Sequence, residues 1–443
     1  MEHIFRAYDI RGVYGRDLTE DFAFKIAEAF GKFLGNKGRI VVGRDARNSG
    51  PQLEEAVARG LASTGISVVQ VGLVPIPAIN LWIMETKADG GVYISASHNP
   101  PEYNGIRFRQ PDGTGWVSCI EEVKKIIFSG GIKEAKGGGI KKEDAKNVKK
   151  AYTDSIKSRI KMKKKLSVVV DPGNGAASGL GASLFKELGC KVSAINNEPD
   201  GNFPGRGPYP NERTLGGLQE KVLKEGADLG VAYDGDSDRV VVVDDKGAVR
   251  SAEEVGIILM KELLSASKNK KVAVNIDCSM AVDEEVGKLG GKVQRIRVGD
   301  AFLAEAVKKG AVFAMESSSH FVIPQFFPFD DGIVTSAYLA EVLSKKDEKL
   351  SELADKIPKY PVLRQTFECP DSKKFKIIDE ITQEFKDRKV DRTDGVKINF
   401  EDGWILLRAS NTQPLLRLTA EAKTQEAASL LLQDIVRRLE GLL

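Results

Sequence analysis

The chain has 443 residues, 42% hydrophobic and 29% charged, enough for about three domains at roughly 150 residues each. Lysine plus arginine number 66 and aspartate plus glutamate 63, a net charge of +3. That balance excludes the strongly basic face of a general nucleic-acid binder but leaves room for a local basic pocket.

Four dispersed cysteines, Cys119, Cys190, Cys278 and Cys369, form no CxxC pair. This argues against a zinc site or a disulfide framework and suits a reducing, cytoplasmic setting. The N-terminus has no apolar signal core, and no apolar run nears the roughly 20 residues that span a bilayer. No membrane association is expected.

Strand and helix patterns alternate from the start. Phe22, Ile26, Ala29 and Phe30 recur at helical spacing. Residues 39–43 read as a buried strand, 51–62 as a helix with proline in its first turn, 66–71 as a strand, 77–85 as a helix and 91–95 as a strand. Such alternation implies a mainly parallel sheet covered by helices. Residues 133–150, with Gly137-Gly138-Gly139 and many charges, read as a solvated loop or linker.

A second unit opens with a strand at 166–170 and a glycine-rich loop, Asp171-Pro172-Gly173-Asn174-Gly175, leading into a helix that ends near Gly189. Ser178 stands where a dinucleotide fingerprint has its third glycine, and no acidic residue follows at the right distance, so a Rossmann site is not expected. Ser251-Ala252-Glu253-Glu254 is a capping box that opens a third unit. Its strands fall at 271–276, 293–298 and 311–315, its helices at 280–289 and 301–308. Three α/β units in series suggest an internal repeat, although no identity between them is visible. The last segment differs. A helix at 373–385 precedes strands at 396–400 and 404–408, joined by the hairpin signal Asp402-Gly403. A strand at 415–420 and a helix at 426–439 complete an α+β unit. The units divide at 1–148, 149–250, 251–358 and 359–443.

Four loops carry chemistry. Asp234-Gly235-Asp236-Ser237-Asp238-Arg239 lies between apolar runs at 229–232 and 240–243. Alternate residues of an extended chain point one way, so three carboxylates converge, as suits Mg²⁺ or Ca²⁺. An EF-hand fails, because its sixth position needs glycine and Arg239 stands there; a charged hairpin turn is the plain alternative. Ser95-Ala96-Ser97-His98-Asn99-Pro100-Pro101 follows a parallel strand, where functional loops lie. Ser97 there is a candidate nucleophile or phosphate carrier, although an ordinary polar turn would look alike. Arg408-Ala409-Ser410-Asn411-Thr412-Gln413-Pro414, with Arg417 beyond, offers guanidinium groups, hydroxyls and an amide to a phosphate. Met315-Glu316-Ser317-Ser318-Ser319-His320 offers groups suited to sugar hydroxyls. Either of these last two could also be a plain polar loop.

Taken together and in order, these loops resemble the α-D-phosphohexomutase superfamily, in particular its phosphomannomutase/phosphoglucomutase group. The resemblance also covers Phe5-Arg6-Ala7-Tyr8-Asp9-Ile10-Arg11-Gly12, Gly43-Arg44-Asp45-Ala46-Arg47, Tyr103-Asn104-Gly105 and Asp200-Gly201-Asn202-Phe203-Pro204. It implies three related α/β domains with mixed, mainly parallel sheets and a C-terminal α+β domain, set around a central cleft. It implies a phosphate on Ser97 and Mg²⁺ held by Asp234, Asp236, Asp238 and that phosphate. The phosphate passes to a hexose 1- or 6-phosphate; the resulting sugar 1,6-bisphosphate turns over and returns its other phosphate. By the same resemblance His98, Arg107, Arg11 and His320 are catalytic candidates. Tyr8, Arg239, Glu316 and Ser318 would contact the sugar, and Arg408, Ser410, Asn411, Thr412 and Arg417 the distal phosphate.

Four positions depart from the family pattern. Arg107 stands for lysine, Met315 and Ser319 for glycines, and Gln413 for glutamate. They bear on substrate preference and the acid–base step. Glucose or mannose phosphate is the expected substrate. Glucosamine phosphate, pentose phosphate and a non-catalytic sugar-phosphate binder are the alternatives. The sequence is silent on oligomeric state.

Overall fold

Local signals in the sequence account for where most elements begin. Thr19, Asp144, Ser251, Ser279, Asp331 and Thr424 each cap a helix by accepting a backbone N–H, and a cap of this kind contributes about 1 kcal/mol. The computed structural model describes residues 2–129, 138–410 and 414–443, so the expectations placed on Asn411, Thr412 and Gln413 lie outside the described residues.

The first unit contains β1 (Ile10–Val13), α1 (Glu20–Phe33), β2 (Arg39–Arg44), α2 (Gly50–Ser63), β3 (Ser67–Leu73), α3 (Ile76–Glu85), β4 (Gly90–Ile94), β5 (Tyr103–Arg109), α4 (Cys119–Ser129) and β6 (Ile140–Lys142). The sheet order is β1-β5-β4-β2-β3-β6. The strands from β4 to β6 are parallel, while β5 runs antiparallel to both β4 and β1. The 133–150 segment is not all loop. Residues 140–142 form an exposed, lysine-bearing edge strand on β3, a composition that discourages further pairing. A helix starts at Ala145 under the Asp144 cap.

The second unit contains α5 (Ala145–Arg159), β7 (Ser167–Asp171), α6 (Leu180–Glu187), β8 (Lys191–Ala194), α7 (Gly216–Glu225), β9 (Leu229–Tyr233), β10 (Val240–Asp244) and β11 (Val249–Arg250). Its order is β11-β10-β9-β7-β8. The third contains α8 (Ala252–Ala266), β12 (Lys271–Asn275), α9 (Met280–Lys288), β13 (Lys292–Ile296), α10 (Asp300–Lys308), β14 (Phe313–Met315), β15 (Phe321–Val322), α11 (Gly332–Ser344) and α12 (Leu350–Ala354). Its order is β13-β12-β14-β15.

The repeat invisible in sequence is plain in topology. In each of these units a parallel strand turns into an antiparallel neighbour: β4 into β5, β9 into β10, β14 into β15. The three joining loops carry Ser97, the aspartate triplet and Glu316.

The fourth unit contains β16 (Val362–Glu368), α13 (Asp371–Glu384), β17 (Val390–Asp391), β18 (Val396–Asn399), β19 (Gly403–Ala409), β20 (Leu415–Ala422) and α14 (Gln425–Glu440). Its antiparallel sheet runs β16-β20-β19-β18-β17. The fold is thus three α/β units plus a C-terminal α+β unit. One apolar core runs through the first three, from Val41 and Tyr93 to Val231, Phe313 and Leu339. The fourth has its own core around Ile381, Ile405 and Leu418. It meets the third through a small patch of Ile276, Met280, Trp404 and Leu406. Among the described residues no helix is long and apolar enough to cross a membrane.

Candidate active site

The loop after β4 is tightly built. Ser97 is 2% exposed and has φ +51, a left-handed conformation that costs a non-glycine residue free energy and clusters at functional sites. Its backbone N–H donates to Ser95 Oγ at 2.8 Å, and its own hydroxyl donates to Asp234 Oδ2 at 2.8 Å. His98 Nδ1 lies 3.3 Å from Ser97 Oγ. Burial, then the nearby Arg239 and Arg11, push His98 far below its ordinary pKa and keep the imidazole neutral. Arg11 donates to Ala96 O at 3.1 Å and Asn99 Oδ1 at 2.8 Å. A cleft of about 520 Å³ opens beside this loop, lined by Arg6, Tyr8, Asp9, Arg11, His98 and Asn99. A larger cavity, about 640 Å³ and lined by Arg159, Glu262, Tyr338 and Lys345 among others, contains none of the expected site residues.

Between β9 and β10 the three carboxylates converge as expected. Asp234, Asp236 and Asp238 are buried, and one oxygen of each lies within 4.8 Å of the others. Burial, then Asp238 and Asp236, raise the Asp234 carboxyl well above the usual range. Among the described residues Asp236 Oδ1 and Asp238 Oδ1 are buried with no hydrogen-bond partner. Buried lone pairs of this kind are costly unless something binds them, and hard anionic oxygens suit a hard divalent cation. The residues present therefore fit Mg²⁺.

Arg107 enters the same cluster from β5. Its Nη1 donates to Asp236 Oδ2 at 3.0 Å and Asp238 Oδ2 at 2.8 Å, and its Nη2 to Asp300 Oδ2 at 2.9 Å. One guanidinium thus joins three units.

The loop between β14 and β15 faces the aspartates. Arg239 and His320 form an isolated antiparallel bridge, and Val240 N donates to Ser319 O at 3.3 Å. His320 Nδ1 lies 2.5 Å from Asp330 Oδ2 and 3.8 Å from Asp238 Oδ1. Burial and Arg239 lower its pKa, but the two carboxylates outweigh them and raise it to about 9. Glu316 accepts from Gly299 N–H and from Ser318 Oγ, the latter at 2.8 Å. Tyr8 OH reaches across from the first unit to Val298 O at 2.8 Å.

In the fourth unit Arg408 and Arg417 sit directly opposite on β19 and β20. Like charges so placed repel unless an anion joins them. Arg408 Nη1 donates to Asp394 Oδ2 at 3.3 Å, and Asp394 Oδ2 also accepts from Val298 N at 3.2 Å. The arginine pair is thereby tied to the segment that Tyr8 touches. Ser410 is buried, and its carbonyl accepts from Lys374 Nζ at 2.8 Å.

Several participants carry no expectation from sequence. The Ser95 hydroxyl lies 2.7 Å from Asp45 Oδ2 and 3.0 Å from Asp236 Oδ2. Asp300 anchors Arg107 and Asp330 anchors His320. Arg47 underlies the Ser97 loop. Asp45 and Arg47 follow the predicted strand 39–43, where functional loops of parallel sheets lie, and they belong to the family-like motif Gly43-Arg44-Asp45-Ala46-Arg47, but neither signal gave them a role.

Comparison with known proteins gives matches along nearly the whole chain. The models described as phosphoglucomutase/phosphomannomutase alpha/beta/alpha domains I, II and III match residues 2–134, 150–247 and 251–360, and that of the C-terminal domain matches 366–438. A phosphoglucomutase/phosphomannomutase of Thermococcus kodakarensis is 39% identical over 99% of each chain. A probable phosphoglucosamine mutase of Methanopyrus kandleri is 37% identical, covering 99% of this chain and 98% of its own. The crystal structure of a phosphoglucomutase/phosphomannomutase family protein from Burkholderia thailandensis aligns with TM-score 0.90 at 31% identity, covering 99% of this chain and 97% of that one.

Proposed function

The chain belongs to the phosphoglucomutase/phosphomannomutase family, and on that premise we propose that it interconverts hexose 1-phosphate and hexose 6-phosphate, with glucose and mannose as the hexoses. Members of the family catalyse phosphoryl transfer as mutases. The reading rests above all on the Ser97 hydroxyl, set 2.8 Å from Asp234 inside a buried triple-carboxylate cluster.

In this reading Ser97 carries the phosphate. Asp234, Asp236 and Asp238, with an oxygen of that phosphate, would hold Mg²⁺, which neutralises charge on the transferring group. The bond from phosphorus to Ser97 Oγ breaks as one from a sugar hydroxyl oxygen forms, and the proton that hydroxyl gives up ends on Ser97 Oγ. In the return step the Ser97 hydroxyl attacks, the bond from phosphorus to the sugar oxygen breaks, and that oxygen takes the proton the Ser97 hydroxyl gives up; His98 Nδ1, 3.3 Å away, orients that hydroxyl. Arg11 and Arg239 supply fixed positive charge beside the loop. Arg107 does the same, because a guanidinium does not deprotonate. His320, held by Asp330, orients its loop. Glu316 and Ser318 bind ring hydroxyls, and Tyr8 closes that side of the cleft. Arg408, Ser410 and Arg417 grip the phosphate that stays. That group carries roughly −1.5 to −2 charges, which relieves the repulsion between the paired arginines. The bisphosphate turns end over end between the two steps.

One observation favours a second substrate. Relatives named phosphoglucomutase/phosphomannomutase and probable phosphoglucosamine mutase match at nearly the same identity, 39% and 37%. Against glucosamine stands the opening Phe5-Arg6-Ala7-Tyr8-Asp9, since the glucosamine group usually opens with a Phe-Gly-Thr-Asp-Gly-type motif. The four cysteines are buried and unpaired, which supports a cytoplasmic setting. Intact mass before and after glucose 1,6-bisphosphate tests for phosphate on Ser97. A turnover panel of glucose, mannose, glucosamine and pentose 1-phosphates tests the substrate. Absence of phosphate from Ser97 in active enzyme would overturn the carrier assignment, and turnover of glucosamine 1-phosphate alone would replace the hexoses.

A further inference from the structure

Two motifs have found no place in the mechanism: Arg44-Asp45-Ala46-Arg47 and Asp200-Gly201-Asn202-Phe203-Pro204. The structure brings them together beneath the Ser97 loop. Arg47 is 0% exposed. Its Nη2 donates to Ser97 O at 2.8 Å and Asn99 O at 2.6 Å. Its Nη1 donates to Pro100 O at 2.6 Å and Tyr103 O at 2.8 Å, and its Nε to Asp45 Oδ2 at 3.1 Å. A guanidinium has five N–H donors, and all are engaged. Four of them end on carbonyls of the segment that bears Ser97, including the carbonyl of Ser97 in its left-handed conformation.

The ring of Phe203, from the second unit, lies under the same guanidinium at 5.3 Å. The approach of the two units here is close. A Cβ on Gly201 would fall 2.3 Å from Asn48 N, and Asn48 Nδ2 donates to Asn202 Oδ1 at 2.9 Å. The Phe203 segment is in turn fastened to the metal loop. Gly207 N donates to Phe203 O at 3.0 Å. Arg206 donates to Asp171 Oδ2 at 2.8 Å and to Tyr233 O at 2.5 Å, and Tyr233 directly precedes Asp234. From the other side, a Cβ on Gly235 would fall 2.5 Å from Ser97 O. The Ser97 carbonyl is therefore lodged between Arg47 and the backbone of the metal loop.

We propose that Arg47 is a positioning residue for phosphoryl transfer: with Phe203 it holds the Ser97 loop of the first unit in register with the aspartate loop of the second. The proposal rests on the reading of Ser97 as phosphate carrier. Lysine cannot stand in for Arg47, because one ammonium offers three donors from a single point and cannot reach five acceptors set around a plane.

The test uses full-length Arg47→Lys and Phe203→Leu with wild type. Phosphate on Ser97 is read by intact mass and by the ³¹P resonance of the phosphoserine, turnover with glucose 1-phosphate, and folding by melting temperature. Arg47→Lys should lower kcat per phosphorylated site by about 100-fold, the scale of a misplacement near 1 Å, with KM little changed and the ³¹P line broadened or shifted. Failure of Arg47→Lys to load phosphate where wild type loads it supports the same role. Phe203→Leu, which keeps every hydrogen bond, should lower kcat roughly tenfold, in the range of a buried cation–π contact. A folded, phosphorylated Arg47→Lys with wild-type kcat and an unchanged ³¹P line overturns the proposal. If Arg47→Lys does not fold, Phe203→Leu decides, and wild-type kcat there overturns it. Wild-type enzyme that turns over without phosphate on Ser97 would overturn the functional reading instead.

Discussion

Arg239 and His320 are paired backbone to backbone across the boundary between the second and third units. The end of the aspartate loop is thereby one strand-like step from the end of the Glu316 loop, and His320 reaches to 3.8 Å from Asp238. On the proposed reading, the loop that would hold the metal and the loop that would bind the sugar are thus joined directly. Substitutions on either loop should act on turnover more than on folding.

Ser97→Ala should abolish turnover and leave the melting temperature almost unchanged. The side chain lost is one hydroxyl, and the loop keeps its backbone bonds to Arg47 and to Ser95. Turnover close to wild type in a preparation free of contaminating mutase would remove Ser97 from the mechanism.

Chelation should abolish activity, and Mg²⁺ should restore it. The chelated protein should also melt lower, because a ligand at about 100 times its Kd stabilises by about 2.7 kcal/mol, and among the described residues Asp236 Oδ1 and Asp238 Oδ1 have no hydrogen-bond partner. Asp236→Asn should shift the Mg²⁺ titration of melting temperature by at least about tenfold. A melting temperature indifferent to Mg²⁺ in both proteins would mean that the cluster does not hold it.

Glu316→Gln should cut kcat/KM on both glucose and mannose 1-phosphate by at least about tenfold, since a hydrogen bond to a charged group is worth roughly 1.5–3 kcal/mol. The two sugars differ only at the 2-hydroxyl, which a site that binds its sugar in two orientations reads poorly. A loss confined to one sugar, or a wild-type preference above roughly a thousandfold (over about 4 kcal/mol), would refute shared recognition.

Arg417→Ala should raise KM for hexose phosphate by about tenfold or more, the worth of one charge-assisted hydrogen bond, with a smaller effect on kcat. It should also blunt competitive inhibition by inorganic phosphate. The basis is the direct opposition of Arg408 and Arg417. Unaltered KM and inhibition would place the distal phosphate elsewhere.

The seam to the fourth unit should give stability a basic-limb dependence. Lys397 Nζ donates to Ile276 O at 2.9 Å and lies 3.8 Å from the Trp404 ring centroid. Burial first, then Arg295, lower its pKa to about 7, against the opposing carboxylates of Asp283 and Glu421. An unfolded lysine titrates near about 10.4, so between those values the unfolded chain binds more protons. Stability from this group is present above the unfolded pKa and is lost as pH falls through about 7. Stability should therefore rise between pH 7 and 9 by about 1 kcal/mol or more, and Lys397→Met should flatten that rise. Denaturant melts at both pH values check it; equal slopes in the two proteins would contradict it.

The site was more legible in the sequence than parts of the fold. Loops with Gly, Pro, Ser and Asp between apolar runs mark strand ends, so Ser97, the aspartates and Glu316 could be picked out locally as a candidate site, as could Arg408 on an antiparallel strand. Helix α11 could not, because every one of its residues is buried and a helix buried on all sides presents no polar face to set a period. Strand β5 was hidden by Arg107 and Arg109, which look like surface charges but lie buried against Asp300 and Asn80. Strand β16 was hidden by its exposed, polar edge position. Arg47, Asp300 and Asp330 gain their meaning only from partners brought together by tertiary contact. The motif that holds Arg47 marked its place but not its role, and Asp300 and Asp330 stood in no quoted motif.

The 2% exposure of Ser97 bears on a competition that every phosphate carrier faces. Water is the most abundant hydroxyl near the site, and a phosphoserine open to it would drain by hydrolysis between sugars. A carrier recessed behind His98 and the aspartate loop is approached more readily by a hydroxyl delivered on a bound substrate than by one diffusing from bulk. On the proposed reading the same geometry would keep the bisphosphate from being discharged while it turns. Depth of burial would thus favour transfer of the phosphoryl group to a bound sugar over its loss to water.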